Sequence, residues 1–484
     1  MVLKKKSLAE NFIYSIIYQL LVTALPILTT PFTARVLGIH ANGIHAYTES
    51  IVTYFIVLGY VGTAIYGTRK VAYVSKDHDA LVQTTWDIIW LRFDLMLITL
   101  AVYIPLLCTR NEYAYIYRIQ SINIIANGID LSWFFQGVED FKTVTLRNML
   151  VKLFFVACLF VFIRSPADLS LYVFLIVGSA FLGNAIMWFF LKDYLGPHSI
   201  RRPSCLKAHL AESIGLFIPQ VTNYVYSLLD RSMLKWMTGI TDYVCIYDYG
   251  QRLIRAIIGI LQSVGYVMLA HLSCLRASDE QDQIKKYIFQ SLNLTLFFAF
   301  PFMFGLIGVA NDFVPLFYGN GYNQVGQVLH LLSPLIVLTS VNSVLGVQLL
   351  IAIGKEKQYT IATTIGAIID TVLNLFLLLK INVIGACISS LVAETVVLLV
   401  LLYMSREYLN IKQILRDNLV PFFSSVAMFM LILLIYQINV RRVYRLLIEV
   451  VMAVVFYYIM MRLTKNKTMQ FILSKLPRRS SGNK

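Results

Sequence analysis

The sequence predicts an all-α polytopic membrane protein with about 14 transmembrane helices. Of its 484 residues, 58% are hydrophobic and only 14% are charged, too few polar residues to cover the surface of a soluble protein of this length. Apolar runs recur along the whole chain, and most approach about 20 residues, the helix length that spans a bilayer core. No loop between these runs is long enough to hold a separate soluble domain.

The apolar runs define the order of the spans. They lie at 8–36, 41–66, 81–107, 113–137, 146–163, 169–191, 210–236, 241–273, 287–310, 327–352, 358–379, 383–405, 417–437 and 446–463. A count of twelve remains open, because the last two runs are the least secure. The basic start Met1–Lys6 leads into a polar-dotted helix that lacks a small-residue cleavage site, so we predict a first span and not a removed signal peptide.

The basic residues of the loops predict the orientation. With the N-terminus in the cytoplasm, 27 lysines and arginines lie in inner tails and loops and 6 in outer loops. Basic residues are enriched on the cytoplasmic side of membrane proteins. We therefore expect a multi-pass protein of the cytoplasmic membrane with both termini inside. Arg441, Arg442 and Arg445, between the last two spans, depart from this pattern.

The loop around residues 192–209 divides six spans from eight and predicts two lobes. We expect an N-terminal six-helix lobe at 1–200, a C-terminal six-helix lobe at 201–410, and two additional helices with a basic tail at 411–484. A weak repeat agrees with this division, because the turn around Gly38 after span one resembles the turn around Gly239 after span seven. Parallel repeats are common in transporters.

The fourth span carries unusually many polar side chains for a membrane helix. They are Arg118, Gln120, Asn123, Asn127 and Asp130. Such groups are costly in a bilayer and usually face a partner or a wet cavity. We interpret this helix as the lining of a polar path, with Trp133–Phe135 at the membrane boundary, where aromatic rings are enriched. The alternative is that the polar groups only bond neighbouring helices.

Spans one and seven each carry a polar stripe on one face. The stripes comprise Asn11, Ser15, Gln19 and Thr23 in span one, and Gln220, Asn223, Ser227 and Asp230 in span seven. Side chains three or four residues apart share a helix face. A polar cavity between the lobes would explain both stripes, whereas hydrogen bonds between helices within each lobe are the alternative.

Span eight contains the strongest candidate for an anion site. Asp248, Arg252 and Arg255 follow one another at i, i+4 and i+7 on one face. Asp230 and Arg231 lie on the preceding helix. Converging arginines at membrane depth can bind an anion, since guanidinium groups match phosphate oxygens and stay charged. The alternative is that Asp248 only neutralises Arg252.

Several acids lie inside predicted spans and are candidates for ion coupling. They are Glu49, Asp94, Asp370 and Glu394, with Asp87 nearer the inner surface. Intramembrane carboxylates often mark ion pathways. A purely structural role is the alternative for each of them.

The sequence lacks the signatures of several other protein classes. We find no Walker loop, GxSxG elbow, HExxH motif or glycine-rich nucleotide fingerprint, so we expect no enzyme and no cofactor. The six cysteines are scattered, which argues against a metal site or a disulfide framework. The net charge of +15 is spread over loops and tails, so nucleic acid is not expected as a partner.

One motif resembles a known family. The run Ile129–Phe141, with its Trp-Phe-Phe-Gln-Gly core, resembles the fourth-helix motif of Wzx-type polysaccharide flippases, members of the multidrug/oligosaccharidyl-lipid/polysaccharide exporter superfamily. The segments Asn11–Tyr14, Leu28–Gly38 and Leu228–Leu234 are similar as well. The likeness extends along nearly the whole chain.

The resemblance implies two six-helix lobes around a central cavity, plus two added helices. It implies translocation of undecaprenyl-diphosphate-linked oligosaccharide repeat units for O-antigen, capsule or exopolysaccharide assembly, which we expect to proceed by alternating access. Further expected partners are membrane lipids, a polysaccharide polymerase and a chain-length regulator. The expected diphosphate ligands are Arg35, Arg118, Arg231, Arg252 and Arg255, and the expected cavity-lining groups are Asn11, Gln19, Asn223, Asp230 and Asp248.

Two other functions are alternatives. A drug or cation antiporter of the same superfamily would favour a cavity dominated by acids, whereas several buried arginines are predicted here. A membrane polysaccharide polymerase or glycosyltransferase would usually need a substantial loop for its active site, and this chain has none.

Overall fold

A computed structural model of the chain describes residues 8–196, 200–277 and 281–475. Within those ranges the side chains of 8–24, 27, 141–143, 146, 216, 218–227, 263–277, 281 and 475 are not described. All regular secondary structure of the described residues is helical. This confirms the predicted all-α fold class of a polytopic membrane protein.

The chain forms two compact units, and the first extends from Met1 to Cys245. Its helices are α1 (Leu8–Tyr60), α2 (Thr63–Val74), α3 (His78–Leu107), α4 (Ala114–Gly128), α5 (Ser132–Gly137), α6 (Phe141–Phe162), α7 (Leu169–Leu195) and α8 (Leu206–Thr238). Helix α8 packs against α1, α2 and α3. The unit therefore includes α8 and the first residues of the next helix, while the lobe boundary at residue 200 stays a prediction.

The second unit extends from Ile246 to Lys484, and α9 (Thr241–Ala277) runs into it from the first. Its further helices are α10 (Gln281–Phe317), α11 (Asn323–Leu332), α12 (Leu335–Ser343), α13 (Glu356–Met404), α14 (Ile411–Tyr436), α15 (Arg442–Leu463) and α16 (Lys467–Lys475). A π-helical segment, Val344–Ile351, follows α12. Helices α14 and α15 pack against each other and against α10, so the two added helices belong to this unit.

Two of the long helices contain sharp breaks at positions where the sequence predicted the ends of spans. In α1 the break is at Gly38, with φ 76°, a left-handed conformation that glycine adopts without a Cβ clash. In α13 it is at Ile381 and Asn382, and Asn382 has φ 48°. Asparagine is among the few other residues that tolerate this region. The breaks lie between predicted spans one and two, and between spans eleven and twelve.

Six helical segments of the described residues are long and apolar enough to cross a membrane. They are His78–Leu107, Pro166–Leu195, Asp282–Phe317, Glu356–Met404, Ile411–Tyr436 and Arg442–Leu463. Two bent pairs also qualify if each is counted as one span, namely Leu28–Tyr60 with Thr63–Val74, and Asn323–Leu332 with Leu335–Ile351. The protein is therefore a multi-pass membrane protein, while the count of fourteen crossings remains a prediction.

The fourth predicted span is interrupted between α4 and α5. The Oδ1 atom of Asp130 accepts hydrogen bonds from the backbone N–H of Ser132 at 3.1 Å and from its hydroxyl at 2.6 Å. The indole N–H of Trp133 donates to the Asp130 carbonyl oxygen at 2.9 Å. This local network competes with the hydrogen bonds of a continuous helix and separates α4 from α5.

The aromatic residues of α5 lie in the protein core, while their position at the membrane boundary stays a prediction. Trp133, Phe134 and Phe135 are at most 1% exposed. They pack with Tyr66 and Val71 of α2 in a hydrophobic cluster. A Cβ at Gly67 would lie 2.5 Å from the Trp133 ring, so glycine is required for this approach.

Candidate functional site

Hydrogen bonds join α1, α4 and α8 in the interior of the first unit. The Gln120 amide donates to the Thr48 hydroxyl at 3.0 Å. The hydroxyls of Tyr54 and Ser232 lie 2.9 Å apart. Of these groups, only Gln120 belongs to a polar set predicted from sequence, and its amide has a partner on a neighbouring helix. The side chains of the span-one stripe and of Gln220, Asn223 and Ser227 lie outside the described residues, so the alternative of interhelical bonding stays open for these stripes.

Asp230 and Arg231, the predicted ionic residues of α8, are both buried, at 2% and 7% exposure. They precede Ser232, which contacts Tyr54 on α1. Glu49 is half-buried on the same helix as Tyr54. Ionisable side chains are thus present in the interior of the first unit, while their roles as lining group, diphosphate ligand and coupling acid stay predictions.

Two of the predicted arginines of the first unit are exposed. Arg35 lies on the surface of α1, and Arg118 on α4 donates from Nε to the Cys108 carbonyl oxygen at 2.9 Å. Arg118 therefore satisfies a carbonyl at the C-terminal end of α3. This contact explains its position without a ligand.

An ion pair joins the loop between α3 and α4 to α8. Glu112 lies 3.3 Å from the Lys235 Nζ atom and accepts a hydrogen bond from the Tyr113 hydroxyl at 2.7 Å. The Tyr113 hydroxyl, together with the Lys235 ammonium, lowers the pKa of Glu112 below its ordinary value. The pair fixes α8 to this loop.

Arg92 is a buried cation that lies within the third predicted span, 81–107, and to which the sequence assigned no role. It is 3% exposed and donates from Nη1 to the Thr63 hydroxyl at 3.0 Å. Its Nη2 donates to the Asn127 carbonyl oxygen, and its guanidinium lies 5.0 Å from the centre of the Tyr60 ring. Arg92 therefore ties α3 to α1, α2 and α4, and the position of an arginine within a predicted span was its only sequence signal.

A cavity of about 430 Å³ lies between α1, α6 and α7. Its polar lining comprises Thr29, Arg147, Asn148, Lys152, Ser179 and Asn184. Arg147 is 6% exposed and donates to the Asn184 side-chain oxygen at 2.8 Å and to the Ser132 hydroxyl at 3.3 Å. Arg147 stands at the very start of the predicted span 146–163, and its place in the wall of a cavity was not predicted.

In the second unit, Asp248 and Arg252 form an ion pair on α9. Asp248 is fully buried, and its Oδ2 atom accepts from Arg252 Nε at 2.5 Å. The Arg252 side chain is 37% exposed, so it is less buried than its partner. Arg255, one turn further, is exposed. The pairing of Asp248 with Arg252, left open by the sequence, is therefore present.

Further polar groups lie close to this pair in the second unit. The hydroxyls of Tyr247 and Ser390 are 2.9 Å apart, and Ser389 donates to the Asn374 side-chain oxygen at 2.6 Å. Asp370, one turn before Asn374 on α13, is 1% exposed. These contacts connect α9 with the two segments of α13.

The other predicted acids differ in their surroundings. Glu394 is half-buried and accepts from the Asn342 amide at 2.6 Å. Asp94 is exposed on α3, which corrects its prediction as a buried acid, because the helix turns it away from the core that its neighbour Arg92 enters. The side chains of Asn11, Gln19 and Asn223 lie outside the described residues. In the described part of the chain, no group of three metal-ligating side chains occurs.

Comparisons with known proteins identify relatives of this chain and solved structures that share its fold. The chain is 25% identical over 415 residues to a protein of Escherichia coli (strain K12) named "Putative O-antigen transporter", covering 83% of this chain and 98% of that protein. Its fold is similar to the structure titled "Lipid II flippase MurJ, inward closed conformation", with TM-score 0.73, 17% identity and coverage of 95% and 100%.

A second solved structure with this fold is an inward-facing multidrug resistance transporter of the MATE family and MOP superfamily. Its TM-score is 0.63 and its identity 12%, with coverage of 79% of this chain and 94% of that chain. The family model described as polysaccharide biosynthesis protein matches residues 8–269, which is more than half of the chain. The resemblance seen in the Trp133 motif is thereby confirmed, and the chain belongs to the polysaccharide biosynthesis protein family.

Proposed function

We propose that this protein flips undecaprenyl-diphosphate-linked oligosaccharide repeat units across the cytoplasmic membrane. The observation that carries this proposal is the family match, together with the near full-length likeness to a protein named as an O-antigen transporter. The fold shared with a lipid II flippase is consistent with a lipid-linked substrate.

The chemistry of the described side chains supports an anionic, lipid-linked substrate. A diphosphate needs cations, and guanidinium groups bind phosphate oxygens through paired hydrogen bonds. The proposed ligands are Arg35, Arg118 and Arg231 in the first unit, and Arg252 and Arg255 in the second. Of these, Arg252 is the best placed, since its partner Asp248 fixes one edge of the guanidinium while the side chain stays partly exposed.

The proposed transport cycle exposes the substrate alternately to the two membrane faces and involves no covalent chemistry. Asp230 and Asp248, with Asn11, Gln19 and Asn223, would contact the sugars as polar lining groups. Glu49, Asp370 or Glu394 would couple the cycle to an ion. Asp370 has the strongest claim because it is buried beside the hydrogen-bonded pair Asn374 and Ser389.

The proposed setting is a cytoplasmic membrane with both termini inside. A polysaccharide polymerase and a chain-length regulator would act on the product, and membrane lipids would surround the lipid tail of the substrate. A reporter that is active only in the cytoplasm, fused after residue 475, should be active. An inactive reporter would reverse the proposed orientation.

Complementation tests the function. The full chain is expressed in a strain that lacks its own repeat-unit flippase, and surface polysaccharide is measured together with accumulated lipid-linked repeat units. Restored polymer and loss of the intermediate are the expected results. An intermediate that persists in strains of several repeat-unit types, despite normal membrane insertion, would contradict the proposal.

A drug or cation antiporter is the second candidate, favoured by the fold shared with a multidrug resistance transporter. Drug susceptibility and efflux of fluorescent cations, measured in the same strains, separate it from the flippase. A membrane polymerase or glycosyltransferase would instead produce polymer only where the intermediate is already on the outer face.

A further inference from the structure

A second ionic cluster lies in the second unit, outside the groups assigned to transport. Its members are Asp312 on α10 and Arg442, Arg445 and Glu449 on α15. The three α15 residues follow at i, i+3 and i+7, so they share one face of the helix. This face packs against α10.

Arg445 is committed to Asp312. Its Nη2 donates to Asp312 Oδ1 at 2.5 Å and its Nε donates to Oδ2, which is a bidentate pair. Its guanidinium also lies 4.6 Å from the centre of the Tyr436 ring on α14. Asp312 is 1% exposed, so both of its oxygens are held in the interior by this arginine.

Glu449 lies one turn beyond Arg445 and is 0% exposed. Among the residues that the structure describes, neither of its carboxylate oxygens has a hydrogen-bond partner. The charged and titratable groups nearest on the packed helices are Asp312, Tyr436, Arg442 and Arg445. Because Arg445 donates from Nε and Nη2 to Asp312 and from Nη1 to the Tyr436 carbonyl oxygen at 3.4 Å, an ionised Glu449 would be a second buried negative charge without a donor.

A buried carboxylate without donors is far less favourable than its neutral acid. We propose that Glu449 is a proton-binding site, neutral while Arg445 is paired with Asp312 and ionised when Arg445 turns to it. The turn needs no movement of α15, because arginine and glutamate four residues apart on a helix can pair. Arg442, whose Nε lies 3.6 Å from Asp312 Oδ1, then neutralises Asp312.

The charges balance in both states. In the first, the cluster holds one proton on Glu449 and the Asp312–Arg445 pair. In the second, the proton has passed to water at the nearby start of α15, and two ion pairs remain. In the second state Asp312 is held only by the longer contact with Arg442. Loss of the proton therefore weakens the contact between α10 and α15, whatever substrate the protein carries.

Infrared spectroscopy of the purified full chain in lipid nanodiscs tests the protonation. The band of a protonated carboxyl group, which shifts on deuteration, should be partly lost in Glu449→Gln and unchanged in Glu407→Gln, an exposed acid. The melting temperature of Glu449→Gln should equal that of the wild type, since a neutral acid and an amide are similar in shape. An unchanged band, or a marked fall in melting temperature, would overturn the assignment.

A second variant tests the exchange of partners. In Asp312→Asn the released Arg445 should pair with Glu449, so the Glu449 band should disappear at neutral pH. It should return in the double variant Asp312→Asn with Arg445→Gln. If the band persists in Asp312→Asn, Arg445 does not exchange and this part of the proposal is wrong.

Discussion

Arg252 donates from Nε to the Oδ2 atom of Asp248 at 2.5 Å, one turn earlier on α9, and that carboxylate is completely buried. This contact changes how arginine variants must be designed. Removal of one partner from a buried pair leaves an uncompensated charge and costs about 3–5 kcal/mol, whereas removal of both can be nearly neutral. A single Arg252 variant therefore confounds stability with function.

The double variant Asp248→Asn with Arg252→Gln separates the two roles of Arg252. We expect normal membrane insertion and a melting temperature close to that of the wild type, but loss of export in the complementation assay, because the diphosphate loses a cation. The single variant Arg252→Gln should lose both stability and export.

Arg416→Gln is the matched control, since Arg416 is an exposed arginine on α14. It should retain both properties. Wild-type export by the double variant would show that Arg252 serves only to neutralise Asp248.

Gly67 and Gly137 should tolerate no side chain, because α2 and α5 approach closely at both positions. A Cβ would lie 2.5 Å from the Trp133 ring at Gly67, and 2.8 Å from the Thr68 carbonyl oxygen at Gly137. We expect Gly67→Ala and Gly137→Ala to lower the unfolding free energy by about 1–3 kcal/mol through overpacking. Thermal unfolding in detergent measures the effect.

Gly178 on α7 provides the control, as a Cβ there meets nothing within 4 Å. Gly178→Ala should stabilise the helix by about 0.5–1 kcal/mol, because alanine loses less backbone entropy. Equal behaviour of all three variants would contradict the close packing of α2 and α5.

The positions of helix breaks could be predicted from sequence, because the local signals agree with the final conformation. Gly38 follows an apolar run, adopts a left-handed conformation, and ends the first segment of α1. Asn382 follows an apolar run that closes with Lys380. It has a positive φ and ends the first segment of α13. At both breaks, a short polar stretch interrupts the apolar sequence, and a residue that tolerates a positive φ lies in it.

The surroundings of aromatic and charged side chains could not be predicted in the same way. The burial of Trp133 and its neighbours against α2 could not be predicted, because apolar surface in a membrane protein can face either lipid or protein. Arg252 could equally have faced a ligand or Asp248, since helical spacing fixes a shared face but not a partner. Such choices depend on tertiary packing, which a single sequence does not specify.

Asp87 should hold the linker between α7 and α8 against α3. It is 2% exposed and accepts hydrogen bonds from the Ser204 backbone N–H at 2.9 Å and from the Ser204 hydroxyl at 2.8 Å. His209 Nε2 lies 3.5 Å from its Oδ2 atom. Asp87→Ala leaves these donors unsatisfied, so we expect faster trypsin cleavage after Arg201, measured by limited proteolysis of the purified protein.

Asp79→Asn is the comparison for the linker, because it removes only the exposed ion pair with Arg201 at 2.5 Å. Exposed pairs contribute about 0–1 kcal/mol, so its cleavage rate should change little. If Asp79→Asn accelerates cleavage as much as Asp87→Ala does, the buried contacts of Asp87 are not what holds the linker.

The Glu112–Lys235 pair should give the first unit a small stability term that depends on pH. The Tyr113 hydroxyl and then Lys235 lower the pKa of Glu112 in the folded protein. Its ionised form therefore stabilises the fold above the unfolded pKa, about 4.3, and this contribution is lost as the pH falls through the lower folded value.

We expect Glu112→Gln to melt slightly below the wild type at neutral pH, with the difference closing at acidic pH. The shift should be small because the Glu112 side chain is 65% exposed. A double-mutant cycle with Lys235→Gln isolates the pair, and a difference that stays constant with pH would show that the Glu112 charge does not stabilise the fold.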